Sequence, residues 1–234
     1  MQLIRYKITV PEFEARSPCP YRNAGADIGD LRIPMSVICH CPDCRRATGA
    51  VPAKAIITET RTVEVSLASR DSAAEAQGPL GVDETRKFMP ADEVFDFRNT
   101  ELGKTFLAVF KSSPKRSRWF CSRCGTPIGY SVDPGTNKRR MVFFFRLMHL
   151  PGVIPPEWGW PKMLDIWLGT IDSSTLEEPW MAPERMLWCE KGIDWVMQYA
   201  SDGAGGIPMH PLTKIDIVVA KDAAEGPSRL GGVQ

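Results

Sequence analysis

Along most of this chain apolar positions alternate with polar ones or gather in short runs, a strand pattern and not a helical one. Val63, Val65 and Leu67 alternate with Thr62, Glu64 and Ser66, the period of two expected of a half-buried strand. Residues 53–57, 105–110, 119–120, 127–132, 164–171 and 185–190 read as further strands. So does the opening stretch 1–10, where Arg5 and Lys7 interrupt apolar residues. Residues 141–148 (MVFFFRLM) form a near-continuous apolar run, as in a strand buried on both faces. Asp133-Pro134-Gly135 predicts a turn, because Pro fixes φ and Gly accepts positive φ. Helical spacing is clear only over 193–200, with Ile193, Val196, Met197 and Ala200 on one face. Residues 42–49 have room for one or two helical turns ended by Gly49, and 215–219 suit an edge strand.

The expected class is therefore mostly β, with one main domain over 36–200 and a helix near its C-terminal end. Residues 1–35 form an atypical N-terminal segment. Residues 69–104 read as a mobile insertion: 69–82 is rich in Ala, Gly, Ser and charge, while Phe88, Val94, Phe95 and Phe97 suffice to dock part of 87–97 back onto a sheet. Residues 201–234 are an extension in which Gly and Pro rise, with 223–234 expected to be disordered.

Charge narrows the function classes. With 24% charged residues and a formal net charge of +1, the chain lacks the basic excess by which nucleic-acid binders attract phosphate. The run KSSPKRSR (111–118) is basic, and its plain interpretation is a solvated loop. No apolar run is long enough to span a membrane, and the N-terminus does not read as a secretory leader. Cytoplasm is the expected compartment, with the nucleus as the alternative.

Seven cysteines change the picture most. Three stand in Cys39-His40-Cys41-Pro42-Asp43-Cys44, a spacing that suits zinc: thiolates ligate it at short range, and catalytic zinc sites use three protein ligands and leave one position open. Cys121-Ser122-Arg123-Cys124-Gly125 has the CxxCG form of a zinc knuckle. Tight groups of this kind, without an export signal, fit metal ligation in a reducing compartment.

The segments CHCPDCRRATGA (39–50) and RWFCSRCGTPIGY (118–130), with LGTID (168–172) and PERMLWCEKGIDW (183–195), resemble the family of glutathione-dependent formaldehyde-activating enzymes and their centromere protein V relatives. The resemblance covers roughly 36–200. It implies a tent-like β fold of several small antiparallel sheets around two zinc ions. Cys39, Cys41 and Cys44 would hold the catalytic zinc, and Cys121 and Cys124 a structural zinc shared with a CxC pair nearer the N-terminus. This chain departs from that last element: it offers Cys19 alone, between Pro18 and Pro20, with Tyr21 where a second cysteine would stand. Cys19 is either a structural-zinc ligand or a free thiol.

The implied activity is a carbon–sulfur lyase of the S-(hydroxymethyl)glutathione synthase kind, acting on adducts of a glutathione-like thiol and a small aldehyde such as formaldehyde. Three thiolates on a divalent ion leave a net charge near −1, a weak Lewis acid better suited to holding a fourth, exogenous thiolate than to making hydroxide. Arg45 and Arg46, directly after the last ligand, are candidates to pair with the thiol's carboxylate. The expected partner is that small thiol, with no membrane and no nucleic acid. The alternative is a non-catalytic zinc-stabilised scaffold for a protein or chromatin partner. The mixed-sign C-terminus argues against it, because a chromatin binder should carry a basic tail. Thiol redox at Cys121 and Cys124 is a weaker third interpretation, since CxxCG after a strand suits a knuckle better than a helix N-terminus.

His40, between two ligands, should point away from the metal, toward solvent or a supporting contact. His149 and His210 are expected to be structural. Cys189 is expected to be a buried small hydrophobe, and most C-terminal tryptophans to be core. Trp158 and Trp160, in the loop PPEWGWP, are candidates for a pocket lid.

Overall fold

The computed structural model describes residues 3–18, 21–22, 31–70, 86–96, 98–113, 116–132, 161–203 and 216–217. Its strands are β1 (Ile4–Ile8), β2 (Ser17–Pro18), β3 (Tyr21–Arg22), β4 (Arg32–Ile33), β5 (Met35–Cys39), β6 (Ala53–Glu59), β7 (Val63–Leu67), β8 (Met89–Pro90), β9 (Leu107–Ser113), β10 (Arg116–Cys121), β11 (Pro127–Val132), β12 (Met163–Trp167), β13 (Arg185–Leu187) and β14 (Asp216–Ile217). The helices are α1 (Pro42–Thr48), α2 (Ala91–Val94), α3 (Ser173–Leu176) and α4 (Asp194–Gly203). The protein is mostly β, with several sheets and few helices. Its largest sheet has seven strands in the order β13-β5-β6-β12-β11-β10-β9, antiparallel except for the β13–β5 pair. Smaller sheets are β1-β7-β8, β2-β4 and β3-β14.

Strand parity gives the large sheet two different faces. One carries Ile56, Trp119, Ile128, Leu164 and Ile166, and it is covered by Val63 and Val65 of β7 together with Val94 and Phe95. Phe95 meets Trp119 edge-on at 5.1 Å between ring centroids, and the Trp119 indole N–H donates to Ser131 Oγ at 2.9 Å. The docking expected of 87–97 is thus found in β8, α2 and Phe95, while Phe97 lies outside the described residues. The opposite face carries Met35, Val37, Cys39, Ala53, Ala55, Ile57, Met163 and Trp167, and onto it Cys41 and Cys44 pack. Asp165 shares the parity of Met163 and Trp167, so it belongs to this second face.

Several expectations need correction. The strand expected over 185–190 ends at Leu187, because Trp188 takes a left-handed conformation (φ 59°) that no strand continues through, and Cys189 opens a single 3-10 turn. The strand expected over 164–171 stops at Trp167 for a 3-10 turn at Leu168–Thr170. The basic run 111–118 is no solvated loop where it is described: Lys111 and Ser112 belong to β9, and Arg116 to Arg118 to β10, with Ser117 buried. Trp167 is core as expected, but Trp195 is exposed. β5 was not anticipated, although all five of its residues are buried. Cys19, His149, His210, Trp158, Trp160, the turn 133–135 and the run 141–148 lie outside the described residues.

Candidate metal centre

The thiols are brought together by a strand that runs directly into a helix. The parity that places Met35 and Val37 on the second face of the sheet also places Cys39 there, buried. Cys41 is the N-cap of α1, and its Sγ accepts from the Cys44 backbone N–H at 3.3 Å, a task usually given to a Ser or Asp oxygen. Pro42 follows at the first helical position, where no N–H is needed. Gly49 ends the helix at φ 67°, donating its N–H to the Arg45 carbonyl at 2.8 Å. The CxxC spacing is thus one helical turn from N-cap to N3, which returns Cys44 beside Cys41. The small buried residues Ala53 and Ala55 belong to the surface on which this turn packs.

The three sulfurs lie within 4.8 Å of one another. Cys41 accepts from the thiols of Cys39 and Cys44, which holds its pKa down to about 2. Cys39 moves far up, because it donates to those same neighbours and is buried. Cys44 accepts from Cys39, yet its hydrogen bond to Cys41 and its burial push it up to about 12. Burial and mutual repulsion oppose more than one charge in so tight a group, so three thiolates need a cation among them. The donor set therefore fits a thiophilic metal ion, and Cys39, Cys41 and Cys44 could hold one. Among the described residues no fourth His, Cys, Asp or Glu joins the group.

The surroundings narrow one expectation and add three residues. His40 directly follows β5 and is buried, which excludes the solvent-facing alternative. Its Nε2 has no partner among the described residues, and burial, then Arg45, hold the imidazole pKa down. Arg45 is half-buried at the last turn of α1, while Arg46 is exposed and lies 4.0 Å from Asp43. Trp188 packs against the same core cluster as Cys41 and Cys44. Its left-handed backbone is a strain of about 1–3 kcal/mol that this packing holds in place.

The register of the sheet sets Arg118, Tyr130 and Asp165 in one row across β10, β11 and β12: Arg118 is opposite Tyr130, and Tyr130 is opposite Asp165. The Arg118 guanidinium lies 4.9 Å from the Tyr130 ring centroid, and its charge favours the thiolate form of Cys44. Burial pushes the Asp165 carboxyl up to about 7, against the pull of Arg118. Burial likewise raises the Tyr130 phenol. None of these three was singled out from the sequence. For Asp165 the available signal was its place in a strand whose other residues are all apolar; β10 and β11 are too mixed to single out Arg118 or Tyr130 in that way.

Cys121 and Cys124 form a knuckle at the end of β10. Gly125 turns the chain at φ 77° and donates to the Cys121 carbonyl at 2.8 Å. Burial raises the Cys121 thiol even though the Arg123 and Cys124 amides point at it. Cys124 is exposed and lowered by the Thr126 hydroxyl, 3.1 Å away. Among the described residues no third ligand accompanies this pair. Cys189 is half-buried, donating to the Met186 carbonyl at 3.4 Å. A cavity of about 610 Å³ beside β1, lined by Tyr6, Thr170, Asp172, Glu178 and Trp180 among others, contains none of the cysteines.

No known family model matches the chain, and no curated protein matches it. Among the described residues no helix is long and apolar enough to cross a membrane. Fold and site together define a mostly β protein with a three-cysteine group that could hold a metal ion.

Proposed function

We propose that the protein is a zinc-dependent enzyme that joins a small thiol to a small aldehyde such as formaldehyde, or releases the aldehyde from the adduct. The observation that carries this reading is the triad of sulfurs within 4.8 Å of one another with no fourth ligand among the described residues. Three ligands and an open position are the arrangement of a catalytic zinc site; a closed set of four is that of a structural one. Cys39, Cys41 and Cys44 would hold the ion, and zinc there would favour the thiolate form of an incoming thiol.

The chain's own residues then act as positioners. β5 and α1 fix the three thiols, and Arg118 sets a positive charge beside Cys44. In the synthetic direction a sulfur–carbon bond forms, the carbonyl π pair moves to oxygen, and the proton lost by the thiol ends on that oxygen. The product is a hydroxymethyl thioether, with no oxidant or reductant needed. Held geometry is the main catalytic resource for an addition that needs no strong acid. The resemblance of residues 39–50 and 118–130 to formaldehyde-activating enzymes supports glutathione as the first thiol to try.

Exchange NMR on mixtures of glutathione and formaldehyde tests the reading by measuring the rate at which free thiol and hydroxymethyl thioether interconvert. Acceleration by the zinc-loaded protein, absent in Cys41→Ser, is the expected result. An identical exchange rate with and without the protein would remove the enzymatic reading.

A further inference from the structure

We propose that Arg118 is the receptor for a carboxylate carried by the incoming thiol, so that the site selects short carboxylate-bearing thiols over neutral ones. This deepens the reading of the triad as a thiol-holding metal centre, and rests on it.

Arg118 occupies an inward position of β10, directly opposite Tyr130, and is half-buried. Its Nη1 is fully buried and has no hydrogen-bond partner among the described residues. The guanidinium forms no ion pair with any described carboxylate, which is unusual for a cation withdrawn from water. The guanidinium carbon sits over the Tyr130 ring, 4.9 Å from its centroid, which helps hold the fork in place.

The arrangement on either side points to the ligand. Toward α1, the Tyr130 ring under the guanidinium packs against the same core cluster as Cys41 and Cys44, so Arg118 lies on the triad's side of the sheet. Across the sheet its neighbour beyond Tyr130 is Asp165, which shares the row but does not pair with it. Burial raises the Asp165 carboxyl to about 7, so it answers the arginine's charge only in part, and it makes no ion pair with it. A cation set on the triad's side of the sheet, over a ring that packs with Cys41 and Cys44, matches a ligand with sulfur at one end and a carboxylate at the other. Arginine grips carboxylates bidentately, which a neutral thiol cannot reproduce. The competing role is plain offset of the negative charge of three thiolates, and it makes a different prediction.

Cobalt(II)-loaded protein titrated with 3-mercaptopropionate and with 2-mercaptoethanol separates the two, with sulfur-to-cobalt absorption as the readout. The wild type should bind 3-mercaptopropionate about ten-fold more tightly or better, and R118Q should lose that preference by weakening 3-mercaptopropionate much more than 2-mercaptoethanol. R118K should retain part of the preference, and it carries the same comparison if R118Q does not fold. No preference in the wild type, a preference surviving in R118Q, or equal weakening of both thiols would overturn the proposal; the last would assign Arg118 to charge offset alone. If neither thiol alters the cobalt spectrum of the wild type, the thiol-holding reading falls as well, an outcome distinct from those three.

Discussion

Tyr130 lies beneath Arg118: the guanidinium carbon is 4.9 Å from the ring centroid, and the two residues face each other across β10 and β11. A contact of this kind contributes about 0.5–2 kcal/mol, and more when it is withdrawn from water. Tyr130→Phe keeps the ring and should leave both stability and the preference for carboxylate-bearing thiols nearly unchanged. Tyr130→Leu should lower the melting temperature and reduce that preference several-fold, as read by thiol titration and thermal unfolding.

The second prediction concerns pH. Burial raises Asp165 from its ordinary range to about 7, so between pH 4 and 7 the folded state holds a proton that the unfolded state releases. Unfolding free energy from this group therefore falls as pH rises through that window and is level above it. Asp165→Asn removes the titration, so the difference between wild type and variant isolates it from Glu184, which burial also raises. Urea melts of both proteins from pH 4.5 to 8 should show the wild type losing up to a few kcal/mol relative to the variant. Parallel curves would contradict a buried, neutral Asp165.

Gly129 keeps β11 close to β12. A Cβ built there would stand 2.5 Å from the Asp165 carbonyl oxygen, closer than real Cβ atoms approach backbone. Gly129→Ala should push the strands apart at a cost of about 1–3 kcal/mol in stability. Because Tyr130 and Asp165 face each other one residue further on, the carboxylate preference should weaken with it. Denaturant melts and thiol titration read the two effects separately.

At the end of α1, Gly49 has open space around it but a φ of 67°. Gly49→Ala should therefore cost about 1 kcal/mol through backbone strain alone. The loss falls on the turn that carries Cys44, so metal affinity should drop while the core stays intact. A chelator competition titration checks this, with the far-ultraviolet circular dichroism spectrum as the control for the fold.

How much of this was legible beforehand differs between fold and site. Alternation at Val63, Val65 and Leu67 and the spacing of Val196 and Met197 place β7 and α4, because one face of each element is apolar. The cysteine spacing likewise contains the triad, since N-cap to N3 is a local relationship. β5 was missed because it is short and wholly buried, leaving no polar face to set a period. Trp188 ended a strand without Gly or Pro to announce it. The row Arg118, Tyr130 and Asp165 could not be read from local pattern at all. It exists only through the register of three strands, two of them joined across a gap of some thirty residues, and Arg118 in isolation looked like one charge of a basic run.

The central claim is that Cys39, Cys41 and Cys44 hold one metal ion, and its most direct test is elemental analysis of the protein purified without chelator, beside Cys41→Ser. The account predicts that the variant contains one zinc equivalent fewer per chain than the wild type, with an unchanged far-ultraviolet circular dichroism spectrum. Equal metal content in the two proteins, with both folded, would contradict it.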